Sequence, residues 1–150
     1  MAGRVTHVSS SKSIGALAAI VFSVITGCAT VNSQAPALVE YQRSGGIAGR
    51  EDRLVVYVDG SARCYRRGAP TTFIVSGDTL TQLRKLLQGV RFDTLRPEYL
   101  PPRPGADLFE YVIVYANRRI RTMDTAVPPE LQPLIQLLSD LVNRRPSPGG

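Results

Sequence analysis

Apolar and polar positions alternate along the middle of this chain, and the period changes from two to about 3.6 twice. Leu38–Gln42 and Arg53–Val58 are strand-like. Asp59-Gly60 is a two-residue hairpin signal that joins the second of these to a strand over Ser61–Arg67. Thr72–Val75 is a further short strand. Ser76 or Asp78 then caps a helix that runs to about Gln88 and stops at Gly89, with Leu80, Leu83, Leu86, Leu87 and Val90 on one face. The segment Arg96–Asp107 holds Pro97, Pro101, Pro102 and Pro104 and is expected to be irregular. Leu108–Ala116 is aromatic and β-branched and predicts a strand, which Asn117-Arg118 turns into Arg119–Met123. Val127-Pro128-Pro129-Glu130 opens a last helix whose inward face is Leu131, Leu134, Ile135, Leu138, Leu141 and Val142. The expected fold is α+β: an antiparallel sheet of about four to six strands with two helices on one face.

A different pattern occupies the start of the chain. Met1–Lys12 carries Arg4 and Lys12 and no acid, and Ile14–Ile25 is an uncharged apolar run of twelve residues. A membrane-spanning helix needs about 20 such residues, so the run reads as the apolar region of an export signal. It ends in Ile25-Thr26-Gly27-Cys28, which resembles the lipobox of bacterial lipoproteins. That resemblance implies cleavage between Gly27 and Cys28 and acylation of Cys28, which would anchor the protein to a membrane bilayer. The expected organisation is a signal peptide over 1–27, a lipidated cysteine and flexible tether over 28–37, one domain over 38–144, and a disordered tail over 145–150. The expected location is the bacterial cell envelope, and the 123 residues from Cys28 onward suffice for one core.

Charge and chemistry narrow the function mainly by what is missing. The formal charge is +6, and removing Arg4 and Lys12 leaves +4. Sixteen of the eighteen basic residues are arginine, and Arg63, Arg66, Arg67, Arg118, Arg119 and Arg121 cluster in two short segments. They are either an anion-binding face or solvated strand faces, since Asp59, Asp78 and Glu110 are interspersed. Export argues against nucleic acid as the partner. His7, the only histidine, lies in the removed segment, so neither a Ser-His-Asp nor a Cys-His constellation can be assembled in the mature chain. Zinc sites of histidine and cysteine fail for the same reason. With Cys28 acylated, Cys64 has no partner and is expected as a buried thiol. No catalytic residue, metal or cofactor is assigned. Glu110 with Asp124 is the carboxylate pair that the strands could bring together, and a non-catalytic binder or inhibitor is expected.

Three segments carry a family resemblance. Val39–Arg50 (V-E-Y-Q-R-S-G-G-I-A-G-R), Pro104–Ile113 (P-G-A-D-L-F-E-Y-V-I) and Ala126–Ile135 (A-V-P-P-E-L-Q-P-L-I) resemble the emfourin-type protealysin inhibitor family in order and spacing. The resemblance spans about Leu38–Val142. It implies a single-domain α+β inhibitor of thermolysin-like zinc metallopeptidases that occupies the protease cleft and needs no cofactor. The export signal points to an envelope or foreign protease as the target.

A thermolysin-like cleft favours a bulky apolar side chain just beyond the scissile bond. Ile47, between Gly46 and Ala48 in a glycine-rich turn, is one candidate contact, or it tucks into the core. Tyr99 and Leu100, stiffened by neighbouring prolines, are the other, or they belong to a packed crossover whose Asp107 bonds backbone amides. The alternative function is an envelope lipoprotein that binds a protein partner or anionic polymer through the arginine-bearing strands.

Overall fold

The computed structural model describes residues 35–67, 70–103, 105 and 107–144. The expected signal peptide, Cys28, most of the tether and the 145–150 tail lie outside them. The fold is α+β, with seven strands where four to six were expected. The strands are β1 (Ala37–Gly45), β2 (Arg50–Tyr57), β3 (Ser61–Tyr65), β4 (Thr71–Ile74), β5 (Glu98–Tyr99), β6 (Phe109–Tyr115) and β7 (Arg118–Met123), and the helices are α1 (Gly77–Gly89) and α2 (Gln132–Asn143). Their order in the sheet is β4-β3-β2-β1-β6-β7-β5. Every neighbouring pair is antiparallel except β5 with β7.

Alternation places Val39 and Tyr41 of β1, Leu54 and Val56 of β2, Ala62 and Cys64 of β3, and Tyr111 and Ile113 of β6 in one core. Leu83 and Leu87 of α1 and the six apolar residues expected of α2 close the same core, and all are buried. The Tyr41 hydroxyl shares a hydrogen bond of 2.7 Å with Ser139 Oγ, which ties α2 to the central strand. The Ser76 hydroxyl caps α1 by accepting from the Thr79 amide.

Five expectations need correction. The β2–β3 hairpin has a three-residue loop, Val58–Gly60, where two residues were expected: Val56 is opposite Ala62, the Gly60 amide donates to Tyr57 O, and Gly60 but not Asp59 has positive φ. The proline segment is not wholly irregular, because Glu98 and Tyr99 pair with Arg121 and Thr122 on the exposed edge of β7. The β6–β7 turn is Ala116-Asn117, one residue earlier than expected. Both residues have positive φ, as the twist of a two-residue hairpin requires. The last helix begins at Gln132, after short 3-10 turns over Asp124–Ala126 and Pro129–Leu131. Pro133 in its first turn has no intrahelical amide to lose. Finally, the ordered domain starts before Leu38, since Pro36 O accepts from Val58 N and Ala37 pairs with Tyr57.

Burial raises the Tyr41 phenol to about 12, and burial followed by its hydrogen bond to Asp124 pushes Tyr111 up as well. A raised phenol pKa stabilises the fold fully below the unfolded value of about 10, and that contribution is lost as pH climbs through the folded values. Stability should therefore fall between pH 10 and 12, by about 2–3 kcal/mol for Tyr41 alone. Urea unfolding at intervals from pH 8 to 12 checks this. A flat profile would mean that these hydroxyls ionise in place.

Candidate functional site

The turn between β1 and β2 is the most exposed apolar feature described. Ile47 is 90 % exposed, so it does not tuck into the core, and its aliphatic side chain stands in solvent between Gly46 and Ala48. The backbone beneath it is nevertheless ordered. Gly45 has φ +104°, and a Cβ there would lie 2.5 Å from the Leu108 carbonyl oxygen. Gly46 has φ +67°, and a Cβ there would lie 2.7 Å from the Phe109 ring. Only glycine allows the chain to approach β6 this closely. The Gly46 amide donates to Leu108 O at 3.2 Å, and the Gly49 amide closes the turn on Gly46 O at 2.9 Å. From the outer side, Arg67 Nη2 donates to Ala48 O at 3.1 Å and to Gly49 O at 3.2 Å.

A buried ion pair lies below the turn. Arg43 and Asp52 occupy inward positions of β1 and β2 and are each 7 % exposed. Arg43 donates to Asp52 Oδ2 through Nη2 at 2.6 Å and Nε at 3.1 Å. Its Nη2 also reaches Asn143 Oδ1 at the end of α2, at 3.1 Å. The guanidinium carbon sits 5.4 Å from the centre of the Phe109 ring, within cation–π range. Arg66 Nε donates to the other Asp52 oxygen at 3.2 Å.

The second candidate contact reaches the same end of the sheet. Tyr99 is opposite Thr122 in β7, so Leu100 leaves the sheet beside Met123, which is opposite Glu110, itself opposite Ser44. Three strand steps, roughly 15 Å, separate β1 from β5 across this end. Leu100 is 42 % exposed. Tyr99 is half-buried, accepting from the Arg96 amide at 3.0 Å with the Arg96 guanidinium over its ring, so it supports the segment. The amide bonding expected of Asp107 falls to Asp124, whose carboxylate accepts from the Phe109 amide and from the Tyr111 hydroxyl. Glu110 bonds Arg121 instead, so Glu110 and Asp124 do not form a carboxylate pair.

The six arginines do not converge. Arg63 and Arg119 share a row across the outer face of the sheet with Val55, Glu40 and Val114. Arg121 lies in the next row, paired with Glu110 at 2.7 Å and Glu98 at 3.5 Å. The hydrogen bond from Arg121 holds the Glu110 carboxyl below its ordinary range. Arg118 donates to Leu95 O at 3.1 Å. Arg66 and Arg67 border a concavity of about 500 Å³ beside the Ile47 turn, with Arg50, Glu51 and Asp52. Cys64 is a free thiol in the core, and burial pushes its pKa up. Among the described residues, no group of three histidine, cysteine or acidic side chains is placed to hold a metal ion.

Sequence reasoning missed Arg43, Asp52, Phe109 and Asn143 as parts of this site. A signal for the first two exists: each sits at the inward phase of an alternating strand, in line with Val39 and Tyr41 or with Leu54 and Val56. No protein-family profile and no curated protein sequence matches the chain.

Proposed function

We propose that this protein is a membrane-anchored lipoprotein that inhibits thermolysin-like zinc metallopeptidases by inserting the β1–β2 turn into the protease cleft. The supporting observation is Ile47, 90 % exposed on a turn whose backbone is held on both sides. A protruding apolar side chain on a preordered loop suits a pocket just beyond the scissile position, because little ordering entropy remains to be lost on binding. Leu100 adds a second apolar contact at the same end, and Gly46 and Ala48 allow the cleft walls to approach the backbone. Acylated Cys28 holds the domain at a membrane, so the target is an envelope or foreign protease. No cofactor takes part.

The test is titration of a thermolysin-like protease with the full chain in detergent micelles. Stoichiometric inhibition is expected. Ile47→Arg should raise Ki about 100-fold and Leu100→Arg about tenfold, as for a central and a peripheral interface residue. A parent protein that is inert, or simply digested, by several such enzymes would remove the inhibitor reading.

A second reading rests on Arg63 and Arg119, which make no ion pair among the described residues. In that reading the outer sheet face binds an anionic envelope polymer. Such binding weakens steeply with added salt, whereas apolar insertion of Ile47 hardly responds.

A further inference from the structure

The Ile47 turn is connected to the far end of α2 by continuous contacts. Asn143 and Asp52 hold the Arg43 guanidinium, the guanidinium lies over the Phe109 ring, and the ring fills the space beneath Gly46. Phe109 is fixed independently through its amide, which donates to Asp124 at 2.8 Å. Above the turn, Arg67 binds the carbonyls of Ala48 and Gly49. Ile47 itself makes none of these contacts. The brace therefore acts on the backbone that flanks the bond between Gly46 and Ile47.

That bond is the one a thermolysin-like protease would cut if Ile47 entered its pocket. Hydrolysis adds one water across it, leaving a carboxylate on Gly46 and an amine on Ile47. Hydrolysis needs the scissile peptide to distort and the new ends to part. A turn closed by the Gly49 amide, seated on Phe109 and clamped by Arg67 resists both.

We propose that Phe109 and Arg67 are positioning residues that make this turn an inhibitor and not a substrate, with Arg43 and Asp52 holding Phe109 in place. This rests on the inhibitory reading of Ile47, but its physical core concerns the turn alone and can be tested separately.

The variants are Phe109→Leu, which removes the ring, and Arg67→Met, which keeps an apolar stem without donors. They are made in the full chain in detergent micelles, and Arg67 is exposed, so its variant keeps the test valid should Phe109→Leu not fold. Without protease, amide exchange at Gly46 and Gly49 should quicken at least tenfold in both variants, while amides in the middle of β1 and β2 keep the parent rate. With a thermolysin-like protease, mass spectrometry should find new ends at Gly46 and Ile47, and Ki should rise at least tenfold although Ile47 is intact. Unchanged exchange, or faster exchange with neither cleavage nor a rise in Ki, overturns the inference. Failure of the parent to inhibit any such protease removes the proposed function instead, and the exchange result then still decides whether the brace exists.

Discussion

Asp52→Ala should destabilise the domain by about 3–5 kcal/mol, the usual result of breaking a buried ion pair from one side. The Arg43 side chain is 8 % exposed and would keep only Asn143 as a hydrogen-bond partner and the Phe109 ring as a neighbour, leaving its charge inside the domain without a counter-ion. Arg66 also loses a partner, but its side chain is 44 % exposed and can turn to water. Against a total stability of about 5–15 kcal/mol, this is a large share. The double replacement Arg43→Met with Asp52→Leu should be far less damaging than Asp52→Ala alone, because it removes both desolvated charges together. Urea unfolding of the parent, the single variant and the double variant measures this directly. A loss below about 1 kcal/mol for Asp52→Ala would show that water reaches Arg43 and that the pair is not a structural element.

Gly45→Ala should cost about 2–4 kcal/mol. A φ of +104° lies outside the regions that L-residues adopt at low energy, and a methyl group there would stand 2.5 Å from the Leu108 carbonyl oxygen. The added atom must tilt the peptide or push β6 away, and either movement breaks the bond from the Gly46 amide to Leu108 O. Gly49→Ala is the control. Its φ of +53° is the ordinary left-handed region and nothing lies within 4 Å of the added carbon, so its cost should stay near 1–2 kcal/mol. Equal losses at the two sites would indicate that backbone conformation alone matters here and that the approach to β6 is loose.

These two sites also separate what could be read from residues from what could not. The glycine-rich turn was legible, because only glycine combines positive φ with close approach, and three of the eight residues of R-S-G-G-I-A-G-R are glycine. Whether Ile47 pointed inward or outward was not, since an aliphatic residue in a turn satisfies either arrangement until the neighbouring strands are placed. Arg43 and Asp52 carried a weak signal in their phase, but charge at an inward position is ordinarily read as a strand end or an exposed face. Glu98 and Tyr99 were hidden among prolines because their pairing uses the spare backbone of β7, about twenty residues away, and not any property of their own segment.

The sequence by itself determined the local elements: the inward face of α2, the start of α1 at a Ser76 or Asp78 cap, a hairpin near Asp59-Gly60 and the aromatic strand β6. Each follows from periodicity or turn chemistry within a few residues, where side-chain spacing and allowed backbone angles leave few alternatives. Only the tertiary structure decided that β1 lies between β2 and β6, that both candidate loops share one end, and that Arg43 finds Asp52 and Asn143 while Arg121 finds Glu110. Those outcomes depend on contacts between segments up to 100 positions apart. Many acids could partner each arginine along the chain, and the choice is made only when packing of the apolar faces brings a particular carboxylate within reach.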